Sequence, residues 1–379
     1  MTSRMGHIGG AASGEITSDN DRIWDEKFDR AEDKKIPIKS ANLATRNDVE
    51  EAAQRRIREG ENLKNFEGNE DEFFVKYRGK TYEISDFFKK HPGGRRTLSP
   101  YRGLSLDKVL KRVPHSEAAF HLFEEFVVDN QPQYDDIENL VDWKAPLLGQ
   151  VGRLADRYWE WVNLPVNRSI RLFESDFLEN LTITPWYLVP TVWIPISLYF
   201  LCLGFVTNSS RSVPNSVPEM LLAVSCGLLL WTLIEYVLHR NLFHMKPPAG
   251  NKPLITLHFL LHGLHHKAPF DDQRLLFPPA AAVLIAAIFY NLYKAVLPDV
   301  MTDFVAAGTM IGYLCYDLIH YYLHHGSPRA ESYLYVMKRY HNYHHFSHHD
   351  HGFGISSRLW DFVFGSLIRL NKLKRAIVW

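Results

Sequence analysis

His262-Gly263-Leu264-His265-His266 and His341-Asn342-Tyr343-His344-His345 are near-copies of one pattern, set on either side of a long apolar run. A further pair precedes each copy: His239 with His244, and His320 with His324. Fifteen of the nineteen histidines fall between His239 and His351, so the clustering is not a matter of composition. Imidazole suits iron, zinc and copper, and residues three or four apart share a helix face. The last three groups therefore each direct two or three nitrogens to a common point. Ten such nitrogens are too many for one ion and about right for two. A lone histidine on an apolar helix is usually a hydrogen-bonded core residue, but four groups at one membrane face need another explanation. The expectation is an all-histidine, two-metal centre.

Working outward, four apolar stretches, 183–206, 220–238, 275–297 and 304–322, each offer the roughly 20 residues a bilayer needs. His239 and His244 end the second, and His320 and His324 end the fourth. Arg211 is the one basic residue in the short segments between stretches one and two and between three and four. The other side carries Lys246, Lys252, Lys267, Arg274, Arg329, Lys338, Arg339 and Arg358, with a basic tail at 369–375. The positive-inside rule then puts the histidines and both termini in the cytosol. No apolar segment opens the sequence, so the internal spans are expected to direct insertion. Glu235 lies four before His239 and Asp317 three before His320, where a carboxylate can take a ligand's second N–H. Tyr313 and Tyr316, beside Asp317, are candidates to position a substrate head group.

The first 180 residues are of a different kind. Residues 1–65 are polar and charged and are expected to be disordered. Lys plus Arg and Asp plus Glu both number 43, which gives nucleic-acid binding no support. Cys202, Cys226 and Cys315 all lie in apolar runs, which excludes a disulfide framework. Phe73, Val75 and Tyr77 alternate with charged residues before Arg78-Gly79-Lys80, the pattern of a hairpin. A short helix then ends at His91-Pro92-Gly93-Gly94, and His115 follows, with Phe120 and Phe123 beyond it. Here, over about 68–130, the sequence resembles the cytochrome b5 family. The resemblance implies haem b with His91 and His115 as axial ligands. Two imidazoles fill both axial positions, so such a haem serves electron transfer. Arg95-Arg96 stands where the family usually has acidic residues, which changes the charge near the haem edge. His121, at helical spacing from Glu117 and Glu125, is expected on a solvated face. In the linker at 136–182, residues 147–162 form either an amphipathic helix with Tyr158, Trp159 and Trp161 at the headgroup level, or a plain linker helix.

The four histidine groups resemble those of the sterol desaturase and fatty acid hydroxylase superfamily of membrane di-iron oxygenases. The fused haem domain and the segment Phe173-Glu174-Ser175-Asp176-Phe177-Leu178 point to its branch acting at C2 of fatty acyl chains, over about 68–370. Position by position, the resemblance implies His239, His244, His262, His265, His266, His320, His324, His341, His344 and His345 as ligands to two irons, although zinc can occupy such a site. It leaves His258, His325, His348, His349 and His351 outside the set. It also implies O2, a cytochrome b5 reductase as electron source, and a long-chain fatty acid, thioester or ceramide substrate for sphingolipid synthesis at the endoplasmic reticulum. Tyr316 and Asp317 are the candidates for positioning roles. The fold expected is an α+β cytochrome b5-like domain at 66–135. An all-α membrane domain at 183–379 follows, with about four transmembrane helices and a cytosolic histidine-rich cap. Two rivals remain: a sterol or sphingoid-base hydroxylase with the same ligands, and a metal transporter or store, which would hold its ligands nearer mid-bilayer.

Overall fold

The Arg78-Gly79 turn closes the hairpin because both residues take positive φ, 47° and 78°, the backbone twist that two-residue hairpins favour. The structure, a computed structural model, describes residues 72–113, 115–128, 137–371, 373 and 376–379. The polar segment at 1–65 and part of the basic tail lie outside them. Strands β1 (Phe74–Tyr77) and β2 (Lys80–Glu83) pair antiparallel, from Phe74↔Glu83 to Tyr77↔Lys80. Alternation puts Val75 and Tyr82 inward, where they meet Phe73, Ile84 and Leu106 in a small core. Helix α1 (Glu117–Glu124) starts where the Ser116 hydroxyl accepts from the Ala119 N–H, at 3.2 Å. The two candidate haem histidines stand at the ends of this N-terminal body's short elements, His91 before the Gly93-Gly94 turn and His115 before α1.

Residues 147–162 do not form one helix. They break into Leu148–Val151, a 3₁₀ turn Ala155–Arg157 and Tyr158–Val162, with Ala155 at φ 50°. Tyr158 and Trp161 are buried in a core with Ile255, Phe259 and Leu264 instead of facing headgroups. The Tyr158 hydroxyl also bonds His258 Nδ1 at 2.6 Å, so its polar end is satisfied inside.

Beyond residue 187 the chain is helical: α2 (Leu188–Ser209), α3 (Val217–Leu238), α4 (Lys252–His258), α5 (Leu264–Lys267), α6 (Pro279–Val296), α7 (Asp299–His325) and α8 (Tyr333–Phe346). Among the described residues three segments are long and apolar enough to cross a membrane: α2, α3 with its continuation to Phe243, and α6. Their outer faces leave Leu198, Leu222, Leu284 and Ile288 exposed, as lipid-facing side chains are. Four spans were expected from the sequence. The fourth stretch lies in α7, which is 27 residues long but carries Asp299, Asp303, Asp317 and three histidines. It packs at the centre against α2, α3 and α6, and most of its first nineteen residues are buried. Gly227 of α3 meets Gly308 of α7 so closely that a Cβ on Gly227 would lie 2.2 Å from the Val305 carbonyl oxygen, and one on Gly308 2.1 Å from that of Val224. Small residues at such a crossing let two backbones approach.

The N-terminal body packs on the rest of the chain. His121 is not on a solvated face: its Nε2 meets Glu138 Oε1 at 2.6 Å, and the same oxygen accepts from Lys267 Nζ at 2.6 Å. The Lys267 ammonium, fully buried, also donates to the carbonyls of Trp161 and Leu164. Arg168 pairs with Glu125 beside it.

Candidate metal centre

Two π-helical turns shape the site. At the end of α3 the turn His239–Phe243 closes with His244 N–H donating to the His239 carbonyl at 2.9 Å, an i to i+5 bond. That wider turn brings His239 and His244, five apart, to ring centroids of 4.8 Å, where an α-helix would point them apart. A second π turn, Phe259–Gly263, joins α4 to α5 and sets the angle of the 262–266 group. The ends of α7 and α8 supply the remaining rings.

The structure sorts nine of the ten candidate ligands into two clusters. His265, His320, His324, His341 and His345 form one, and His239, His244, His262 and His344 the other, with the ligand atoms of each within 4.8 Å of one another. His266 lies between them, its ring 4.4 Å from His345 and 4.8 Å from His244 and His262, with both nitrogens buried and unpaired. The Nε2···Nε2 separations are 2.8 Å for His324–His341, 2.9 Å for His265–His345, and 3.1 Å for His320–His341, His345–His341 and His239–His262. Two nitrogens bound at right angles, each ~2.1 Å from one ion, stand about 3 Å apart. The donor set therefore fits a metal ion in each cluster. Burial, and then the neighbouring imidazoles, hold His244, His262, His265, His266, His341 and His345 well below the ordinary imidazole pKa, and burial does the same at His344. All are thus neutral, with lone pairs to offer.

The groups that orient these rings are mostly backbone. His239 Nδ1–H donates to the Phe353 carbonyl at 2.5 Å and His344 Nδ1–H to the His351 carbonyl at 2.7 Å. Both carbonyls sit in the loop 351–356, which turns through Gly352 at φ 76°. Glu235, expected to hold His239 directly, instead accepts from the N–H groups of Ile355 and Ser356, at 2.7 and 2.8 Å, and from the Ser356 hydroxyl. Asp361 pins the same loop, accepting from Phe353 N–H at 2.9 Å, Gly354 N–H at 2.8 Å and Ser366 Oγ–H at 2.7 Å. Nothing in the spacing of the sequence marks Asp361. Asp317 is buried, its Oδ2 has no partner, and among the described residues no hydrogen bond joins it to His320. Tyr316 packs 5.9 Å from the His320 ring. Tyr316, Asp317, His262, His265 and His320, with Phe243 and Phe277, are among the residues that line a cavity of ≈ 40 Å³. His258, His325, His348, His349 and His351 belong to neither cluster.

In the N-terminal body the His91 and His115 rings face each other with centroids 6.2 Å apart and planes at 26°. With roughly 2 Å from nitrogen to metal on each side, that gap takes one ion. His91 Nδ1 lies 3.3 Å from the Gly94 carbonyl and His115 Nδ1 2.9 Å from the Val113 carbonyl, so Nε2 is the nitrogen each ring would offer to a metal. Burial lowers the His91 pKa to about 4 and lowers that of His115, keeping both neutral.

The cytochrome b5-like heme/steroid binding domain profile matches residues 59–140, and the fatty acid hydroxylase profile matches residues 224–366. The human fatty acid 2-hydroxylase is 41% identical over 339 residues, covering 78% of this chain and 91% of its own. The chain belongs to the fatty acid 2-hydroxylase family. A dihydroceramide fatty acyl 2-hydroxylase of Arabidopsis thaliana is 44% identical over 231 residues, 60% of this chain and 93% of its own. A solved structure of full-length scs7p, with only its hydroxylase domain visible, aligns with a TM-score of 0.57 at 34% identity, covering 65% of this chain and 92% of that one.

As a member of the fatty acid 2-hydroxylase family, the chain joins a haem-binding domain to a membrane-embedded, histidine-ligated metal centre. His91→Ala and His115→Ala should each abolish the six-coordinate low-spin haem spectrum, read by absorbance, while metal content in the hydroxylase half stays normal. A normal spectrum in both variants would exclude the axial pair.

Proposed function

We propose that the chain uses O2 to hydroxylate long fatty acyl chains at C2, next to the carbonyl, in the synthesis of 2-hydroxylated sphingolipids. The human relative is named for this reaction on fatty acids and the Arabidopsis relative for dihydroceramide. The observation carrying the proposal is the pair of buried, neutral imidazole clusters beside a cavity, in a chain that also holds a haem site. The ligands are His239, His244, His262, His265, His266, His320, His324, His341, His344 and His345, and the metals are two irons. When bound, the irons supply O2 activation and haem b the one-electron relay, fed by a cytochrome b5 reductase.

The chain's own side chains do the rest. Burial of the imidazoles excludes bulk water, and the carbonyls of Phe353 and His351 fix the tautomers of His239 and His344. Tyr316 and Asp317 form a wall of the cavity, where the unpaired Asp317 oxygen can bond the polar end of an acyl substrate. C2 lies next to that polar end, so the reacting carbon is brought to the clusters while the tail runs among α2, α3 and α7. Helix α7 serves as a fourth span, shielded from lipid by the other three. The metal face, the haem domain and both termini then lie on the cytosolic side of the endoplasmic reticulum membrane. The basic residues gather at that face, against Arg211 and Lys294 at the other. The chain divides into a polar segment 1–65, a haem domain 66–135, a linker 136–182 and a hydroxylase domain 183–379.

The test is expression in cells lacking 2-hydroxylated sphingolipids, grown under ¹⁸O2, with lipids read by mass spectrometry. One labelled oxygen is expected at C2 of the ceramide acyl chain. Label on a sterol or on the sphingoid base instead, or none at all, would refute the proposal.

A further inference from the structure

A row of phenylalanine rings joins the haem site to the metal clusters. Phe87, one turn before His91, packs edge-on to that ring at 5.8 Å and edge-on to Phe270 at 5.8 Å. Phe270, in the segment that follows the 262–266 histidines, is buried and stacks on Phe346 at 6.1 Å with planes at 24°. Phe346 adjoins His345, a member of the five-imidazole cluster, and their rings lie 6.2 Å apart. Every step is a ring contact or a chain neighbour.

A second contact holds this row closed. The Trp379 indole N–H donates to the Pro92 carbonyl at 2.9 Å, within the turn that follows His91. The same ring packs on Tyr335 of α8 at 5.2 Å and under Lys338 Nζ at 5.1 Å. Lys338 in turn donates to the carbonyls of Leu323 and His324, at 2.7 and 3.0 Å. The turn is fitted to this segment: a Cβ on Gly94 would lie 2.6 Å from both Ile377 Cγ2 and the Val378 carbonyl oxygen. On the other flank stands the buried His121–Glu138–Lys267 group.

A haem with both axial positions filled exchanges electrons through its edge and its ligands. Tunnelling decays exponentially with distance and decays faster across a void than across packed atoms. A packed aromatic row between the two sites therefore outperforms any arrangement with a gap. We propose that the haem domain works docked as seen here. Phe87, Phe270 and Phe346 are the bridge over which electrons pass, and Trp379 is the positioning residue that keeps it closed. This rests on the haem being the electron donor, as proposed above. Each turnover consumes one O2, two electrons and two protons, converts one C–H bond to C–OH and releases one water. Each electron crosses singly, taking the haem from ferrous to ferric, and the reductase restores it.

The experiment uses full-length holoprotein carrying Phe270→Leu, Phe87→Leu or Trp379→Ala, with haem reduced beforehand. Each is mixed with oxygenated buffer and dihydroceramide in nanodiscs, and haem oxidation is followed by stopped-flow absorbance. Haem spectrum, metal content and turnover driven by reduced methyl viologen are measured in parallel. In the phenylalanine variants substrate-dependent haem oxidation should slow about tenfold or more, the scale of loss that small misplacements produce, with metal content and viologen-driven turnover unchanged. Trp379→Ala should slow it too and raise hydrogen exchange at 85–98. Phe87→Leu, remote from the metal clusters, decides the matter if Phe270→Leu loses metal. Haem oxidation at the normal rate in Phe87→Leu with metals intact overturns the bridge while leaving the donor proposal standing. If the unaltered protein's haem stays reduced while viologen-driven turnover proceeds, the donor proposal itself fails, and the bridge with it.

Discussion

His344→Ala is expected to abolish product formation in a protein that still folds. His344 is one of four imidazoles in its cluster, and its Nε2 is buried with no other partner. Removing it leaves three nitrogens and a hole beside the neighbouring His266 ring, 5.2 Å away. Metal-ion catalysis contributes several kcal/mol, so loss of the ion costs at least about a hundredfold in rate. His320→Ala should do the same from the other cluster. The contrast is His348→Ala, whose ring lies outside both clusters and stacks on Tyr343. It should retain most of the rate. Turnover of an acyl substrate and metal per chain, measured on the same samples, check all three. Full activity in His344→Ala would sink the site.

Asp361→Ala is the second large effect, although Asp361 touches no candidate ligand. Its loss strips the partners from the Phe353 and Gly354 N–H groups, each a penalty of ~1–3 kcal/mol in a buried place. The loop 351–356 then no longer presents its carbonyls to His239 and His344. Both belong to the four-imidazole cluster, so metal should be lost from that cluster, with affinity down ~10–100-fold. The five-imidazole cluster has no such dependence on the loop and should stay loaded. Metal analysis should therefore find about half the normal content together with little activity. Asp361→Asn, which keeps one acceptor oxygen, should fall between. A normal metal content in Asp361→Ala would show that the loop does not orient the rings.

That the histidines would gather was legible in the sequence, because residue type and spacing are written there, and nine of the ten fall into the two clusters. That His91 and His115 come together was legible through the likeness to cytochrome b5. What escaped was whatever depends on the path of the backbone. Glu235 stands one turn before His239, yet it bonds a loop more than a hundred residues later, since a carboxylate on a helix serves whatever N–H groups the fold brings to it. Tyr158 and Trp161 carry the composition of a headgroup belt, but a buried core also accepts aromatic residues once their polar ends are paired. His121 sits between two acids in its own helix, and a third acid from beyond the helix claims it. The fourth apolar stretch was read by length, whereas its acids and histidines record that it faces protein on nearly every side.

The π-helical turn at His239–Phe243 has a consequence for what the chain can tolerate. A wide turn holds one residue more than the α-helical turn it replaces. Deleting one residue from 240 to 243 would set His239 and His244 four apart, the spacing at which an ordinary α-helical turn keeps both rings on one face. Adding one would set them six apart, which neither kind of turn brings together. Variation in this stretch is therefore a question of counting before it is one of chemistry: it has room to lose a residue and none to gain one.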